Sequence, residues 1–247
     1  MNLESKKHVY VELDWDQGTV HPLFIDDDLP VSYVLSELRC KELIPKGYRY
    51  RYALLLDGKE LDLTEILECI PEGATLRVVA KENTITPPYP WATNRRCMVH
   101  TLETLKSKNL KKISGDVKCR KCDAQYVYEF DLDEKFREVA EYIKDNIPQF
   151  PKSWLSPKTP ACTHCGEINT WKPVIPENRD EINWLFLLLG QMLGFCTLEQ
   201  LKDFCMLTEN SRTGAKDKVL CVVYLTLCKQ LDPFGPFDLE FQFMVYR

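Results

Sequence analysis

Two cysteine couplets, Cys119-Arg120-Lys121-Cys122 and Cys162-Thr163-His164-Cys165, carry the residue types in this chain best suited to chemistry. Two residues between cysteines let one tight turn aim both sulfurs at a shared point, while the amides of the turn hydrogen-bond to them. One couplet supplies half of a tetrahedron, and the second completes it. The spacing therefore predicts one Zn2+ ion held by Cys119, Cys122, Cys162 and Cys165. A sphere filled by four thiolates leaves no position for water or substrate, so the ion is expected to be structural. Two pairs of buried thiols and an iron–sulfur site are the alternatives. The remaining cysteines (Cys40, Cys69, Cys97, Cys196, Cys205, Cys221 and Cys228) mostly fall at apolar helical positions and read as core.

The elements around the couplets follow from local pattern. Ile113–Lys118 leads into the first couplet and Tyr126–Phe130 leads out, a strand, turn and strand that place Cys119 and Cys122 at a hairpin tip. Upstream, Val99, Leu102 and Leu105 are spaced for one face of a helix within 98–110. Downstream, Asp131 or Asp133 can cap a helix carrying Phe136, Val139, Ala140 and Ile143. Thirty-nine residues separate Cys122 from Cys162, against the usual gap of about 15–20. That helix and an extended connection marked by Pro148, Pro151 and Pro157 fill the difference. Beyond the second couplet, Ile182–Leu193 is apolar nearly all round and reads as a buried helix ended by Gly194. Thr197 and Gln200 form a capping box, residues 216–231 make another helix, and Leu239–Tyr246 alternate as a last strand.

The first eighty residues have a different pattern. Residues 8–14 and 19–25 alternate around Asp16-Gln17-Gly18 as a hairpin, and Val31, Val34, Leu35 and Leu38 mark a helix that Asp26-Asp27-Asp28 can cap. The helix ends at Ile44-Pro45 and Gly47; a strand 51–56, the turn Asp57-Gly58-Lys59, a helical turn at 64–68 and a strand 75–80 follow. This order, with Lys41–Pro45, Tyr52–Leu61 and Gly73–Val79, resembles ubiquitin-like β-grasp domains. No Gly-Gly follows Val79, so the resemblance implies an integral binding domain and not a conjugated modifier. The expected organisation is a β-grasp domain over 1–82, a Pro-rich linker over 83–90, and a four-cysteine domain over 91–247. The fold class is α+β, with a zinc-ribbon-containing, mainly helical second domain.

Four longer stretches carry a second resemblance: Pro87–Arg96, Ile113–Cys122, Ile182–Gly194 and Asn210–Asp217. Over residues 87–238 they are similar to a plant-specific family known only as a domain of unknown function. That likeness implies plant origin and the paired cysteines, and it implies no activity.

Composition narrows the function classes. With 247 residues, 45% hydrophobic and 28% charged, the chain can bury real cores. No leader follows Met1, and the longest apolar run, Val219–Leu225, is too short to span a bilayer. Eleven cysteines without those features predict an intracellular protein, cytoplasmic or nuclear, whose thiols stay reduced. Pro160–Cys165 resembles the Pro-Cys-x-x-Cys element of zinc deaminases, but the His-x-Glu partner is missing, as are a P-loop and a nucleophile elbow. The sequence is therefore expected to encode a non-catalytic, zinc-stabilised interaction or adaptor protein that binds a protein partner. The alternative is nucleic-acid binding through a basic face formed by Lys111, Lys112, Lys118, Arg120 and Lys121. A hydrolase or deaminase-like enzyme ranks third.

Overall fold

The computed structural model describes residues 6–16, 18–44, 50–82, 84–146, 152–211 and 213–238. The expected last strand at 239–246, the helix stop at Pro45 and Gly47, and Pro148 and Pro151 lie outside the described residues. Among the described residues no helix is long and apolar enough to cross a membrane. The chain divides into two compact units, residues 1–83 and 84–247.

In the first unit five strands form one sheet: β1 Lys6–Leu13, β2 Val20–Asp26, β3 Tyr50–Leu56, β4 Lys59–Glu60 and β5 Thr75–Glu82. Their spatial order is β2-β1-β5-β3-β4, with β1 and β5 parallel and the other pairs antiparallel. Alternation sets the faces. Val9, Val11, Leu23, Ile25, Leu54, Leu76 and Val78 point inward, where Val34, Leu35 and Leu38 of helix α1 (Ser32–Cys40) complete one core. Burying those three helix side chains contributes roughly 5–9 kcal/mol before conformational entropy is set against it. The order of strands and the helix across one face define a ubiquitin-like β-grasp fold.

Asp26, Asp27 and Asp28 do not cap α1, contrary to the sequence expectation. Val31 occupies the N-cap with no side-chain bond. The amides there are instead taken from a distance, Val31 N–H by the Glu65 carbonyl at 2.7 Å and Ser32 N–H by Leu63 at 3.0 Å. Lys7 does the converse at a 3-10 turn, donating from Nζ to the carbonyls of Leu67, Glu68 and Ile70 at 2.7–2.9 Å. Asp57 (φ 52°) and Gly58 (φ 79°) form the tight β3–β4 turn, the left-handed pair that a two-residue hairpin requires.

The second unit packs helices on a three-stranded antiparallel sheet of order β7-β6-β8 (β6 Lys112–Cys119, β7 Gln125–Asp131, β8 Trp171–Pro173). Helix α2 spans Leu102–Ser107, shorter than the expected 98–110, because the Thr101 side chain accepts from Thr104 N–H and fixes the start. Helix α3 spans Leu132–Asn146; Asp131 Oδ1 accepts from Glu134 N–H at 2.9 Å. Helices α5 (Leu198–Leu207) and α6 (Lys216–Leu231) follow, with the expected Thr197–Gln200 capping box on α5.

The central helix α4, Trp184–Leu189, is buried at every position, but it is shorter than Ile182–Leu193. Gln191 turns left-handed (φ 52°), its N–H bonds to Leu188 at 2.9 Å, and Met192 N–H reaches back to Leu187 at 2.7 Å. This is a Schellman stop. A Cβ at Gly190 would lie 2.4 Å from Met192 Cε and 2.9 Å from the Phe130 ring, so packing demands the glycine.

Residues 84–90, expected as a bare linker, are fastened to the second unit. Thr84 bridges Arg95, Ile85 N–H bonds the Asn94 carbonyl at 2.7 Å, and Tyr89 stacks on Trp91 with centroids 5.0 Å apart. Prolines exclude helix and sheet interior, but they do not stop a chain from docking by its flanking residues.

Candidate metal centre

The first couplet sits where β6 runs out. Cys119 is the last residue of β6, and its N–H bonds the Ala124 carbonyl at 2.9 Å across the tip. The second couplet repeats this turn outside any strand, with Cys162 N–H on the Glu167 carbonyl at 2.8 Å. Lys121 N–H donates to Cys119 Sγ and His164 N–H to Cys162 Sγ, both at 3.4 Å. The residue after each second cysteine is left-handed, Asp123 at φ 55° and Gly166 at φ 73°. The two couplets are thus the same turn built twice.

All four sulfurs lie within 4.8 Å of one another. Cys119 Sγ is 3.8 Å from Cys165 Sγ, and Cys122 Sγ is 3.8 Å from Cys162 Sγ. Four sulfurs about 2.3 Å from a common centre stand about 3.8 Å apart along the edges of a tetrahedron. That is nearly twice the sulfur–sulfur bond of about 2.05 Å, so these are free thiols, not disulfides, close enough together to share one ion. Cys119 and Cys162 are buried, and Cys122 and Cys165 face solvent.

The electrostatics suit a cation. The Thr170 hydroxyl beside Cys119, 3.4 Å from its sulfur, and the Cys122 and Lys121 amides pull that thiol down to about 6. The Cys165 amide favours ionisation of Cys162, with further help from the His164 amide, and lowers it as well. At Cys122 the Ala124 amide favours the thiolate, but burial and the three neighbouring sulfurs outweigh it and push the thiol up to about 12. Four negative sulfurs cannot share this space alone, and a divalent ion removes the conflict.

Several supporting residues gave no signal in the sequence. Thr159 Oγ1 donates to the Trp171 carbonyl at 3.0 Å, and its N–H bonds Asn169 Oδ1 at 2.9 Å. Arg120 N–H meets the Thr170 carbonyl at 2.7 Å, which ties one turn to the other. Tyr126 and His164 face each other over the cluster with centroids 5.4 Å apart. These contacts join residues ten or more positions apart, beyond the reach of a local pattern.

Several side chains of the expected basic face have carboxylate partners. Lys112 pairs with Glu129 at 3.0 Å, Lys118 with Asp123 at 3.3 Å, Lys121 with Glu167, and Lys106 with Asp133 at 2.6 Å. Arg120 reaches the Asn169 carbonyl at 3.4 Å, and Lys111 is exposed on the chain entering β6.

A ubiquitin-like β-grasp unit is thus followed by an α+β unit whose four clustered cysteines can hold one metal ion. The second unit identifies the chain: it belongs to the family described as Domain of unknown function (DUF7086), whose model matches residues 102–231, from the start of α2 to the end of α6 and across all four cysteines. No curated protein matches the chain. Solved structures similar to it include ubiquitin from Caldiarchaeum subterraneum (16% identity, 31% of this chain, 94% of that chain, TM-score 0.26). Another is the ubiquitin-like domain of an Arabidopsis thaliana protein (24% identity, 33% and 84%, TM-score 0.28). A third is the UBL domain of yeast Ddi1 (15% identity, 31% and 91%, TM-score 0.26). The β-grasp assignment rests on the strand order and the helix described above.

Proposed function

We propose that the chain is a non-catalytic adaptor whose integral ubiquitin-like unit recognises a protein partner, while one Zn2+ ion on Cys119, Cys122, Cys162 and Cys165 keeps the second unit folded. The observation that carries the recognition role is the outward face of β1 and β2. Phe24, 65% exposed, lies flat on His8 with centroids 4.4 Å and planes 6° apart, and Tyr10 packs against His8 at 4.5 Å. Val20, 44% exposed, and Pro22 extend this face along β2. An aromatic surface left open on a folded domain is a feature of binding sites. Pro22 lacks an N–H, which blunts edge strand β2 and directs a partner to the face.

The non-catalytic reading rests on the donor set, because four thiolates saturate a tetrahedral ion. The ion pairs on Lys112, Lys118 and Lys121 weigh against the nucleic-acid alternative, since each cation already has a carboxylate. The test is affinity capture with the full chain, followed by titration of the purified pair. Phe24→Ala is expected to weaken binding by about tenfold, the cost of one aromatic anchor. A partner bound as tightly by Phe24→Ala, and by His8→Ala with Phe24→Ala, as by the parent would defeat the recognition role of the β-grasp face.

A further inference from the structure

A cavity of about 440 Å³ opens in the second unit beside β6, away from the cysteines. Ile182, Phe186 and Leu187 of the α4 region, all buried, close it from behind, Val127 and Val174 give it exposed apolar surface, and Tyr89 contributes an aromatic ring. The two charged residues among those lining it, Asp116 and Glu181, are both acids, and no basic side chain lines it among the described residues. Asp116 and Glu181 are exposed, so their charges stand at the mouth. Tyr89 is anchored by donating its hydroxyl to the Glu181 carbonyl at 2.7 Å and by stacking on Trp91. Burial, then Asp116, then Glu181 hold the Tyr89 hydroxyl pKa above its usual value, so both carboxylates act on this phenol.

The edge of β6 adds a polar group. Cys119 N–H bonds toward β7, so alternation turns Ser114 and Asp116 toward the β8 side. There β8 is only three residues long; Val174 N–H closes on the Asp116 carbonyl at 2.8 Å, and Asn183 Nδ2 donates to the Ser114 carbonyl at 2.9 Å. The Ser114 N–H is left without a partner among the described residues, at the cavity wall.

We propose that this cavity receives a lysine or arginine side chain presented by an extended segment of a protein partner. The aliphatic stem lies on Val127 and Val174, and the cationic head stands by Tyr89 between the Asp116 and Glu181 carboxylates. A carbonyl of the partner's backbone accepts from Ser114 N–H. The site lies wholly in the second unit and does not depend on the β-grasp face.

The probe is acetyl-Ala-Lys-Ala-amide, with the Arg and Glu analogues and n-butylamine as comparisons, titrated into the 15N-labelled full chain. The Lys and Arg peptides are expected to shift the Ser114, Gly115, Asp116 and Asn183 amides saturably, and the Glu peptide is not. Asp116→Asn with Glu181→Gln should weaken binding by about fivefold, and both residues are exposed, so the fold is retained. Asp116→Lys should transfer the response to the Glu peptide. No saturable shift at these amides overturns the proposal, as does an equal response to the Glu peptide or unchanged binding in the double variant. An equal response to n-butylamine overturns it too, since the site would then select a small amine and not a peptide.

Discussion

Stripping the ion, or replacing Cys165 with Ser, should melt the second unit and spare the first. The magnitude follows from the loop that the ion closes. Cys122 and Cys162 lie on different turns and their sulfurs stand 3.8 Å apart, so a bound ion would crosslink the chain across residues 122–162. Releasing a crosslink over a loop of about 40 residues returns about 4 kcal/mol of loop-closure freedom to the unfolded chain. For a unit of this size that is a drop of about 8–16 °C in melting midpoint. The assay is built into the sequence. Trp91, Trp154, Trp171 and Trp184 all lie in the second unit and are at most 4% exposed, whereas Trp15, in the first, is already 45% exposed. Tryptophan emission therefore reports mainly on the second unit, and Trp171 pairs directly with Cys119 across β6 and β8. Chelation should shift this emission to the red at lower temperature, while amide signals of β1 to β5 stay in place. If metal analysis shows the ion gone and the tryptophan midpoint moves by less than about 2 °C, the crosslink argument is wrong.

Two further predictions test the packing and the charge of the site. At Gly115 a Cβ would stand 2.5 Å from the Phe186 ring, so Gly115→Ala should cost about 1–3 kcal/mol in urea unfolding, and Phe186→Leu in the same chain should recover part of it. An additive pair would show that β6 and α4 do not meet there. In the metal-free protein, Cys119 is drawn down to about 6, so its contribution is full above the unfolded thiol pKa of about 8.5 and is lost as pH falls through 6. Cys122, pushed up to about 12, acts in the opposite sense and loses its contribution as pH rises from about 8.5 toward 12. The metal-free melting midpoint should therefore peak near pH 8–9, and a profile that is flat or falling from pH 6 to 8.5 contradicts the assignment.

What could be read from the sequence, and what could not, divides by the distance over which each feature is determined. The capping box of Thr197 and Gln200 needs four consecutive residues, and both of its bonds form, at 2.9 and 3.2 Å. Helix α6 occupies the expected residues 216–231, because its apolar positions run through its whole length and Pro233 follows. The couplets likewise declare themselves, since a turn of four residues fixes where two sulfurs point. The misreadings at α1 and α4 came where distant residues decide. Asp26–Asp28 have the right chemistry to cap α1, but the carbonyls of Leu63 and Glu65 already hold its amides. Helix α4 has an apolar run long enough to reach Leu193, yet Phe130, folded in from β7, demands a glycine at 190, and the chain turns at Gln191.

The candidate sites divide the same way. The metal centre is local in its ligands and non-local only in its supports, Thr159, Asn169 and Thr170, so its ligands were legible and its supports were not. The cavity beside β6 is non-local throughout. Tyr89 reaches it from the proline-rich stretch, Asp116 from β6, and Glu181 and Phe186 from the approach to α4 and from the helix itself. What links the two sites is β6. Its last residue is Cys119, one sulfur of the cluster, and three residues earlier Asp116 stands at the cavity mouth. Because Val174 N–H bonds Asp116 just beyond β8, and Trp171 of β8 pairs with Cys119, one short strand holds both ends of this stretch in register. Without a bound ion the Cys119 end would be held less firmly, and among the described residues no strand other than β8 lies on that side of Ser114–Asp116. An ion held by the four cysteines would therefore also fix the edge on which the proposed basic side chain would dock.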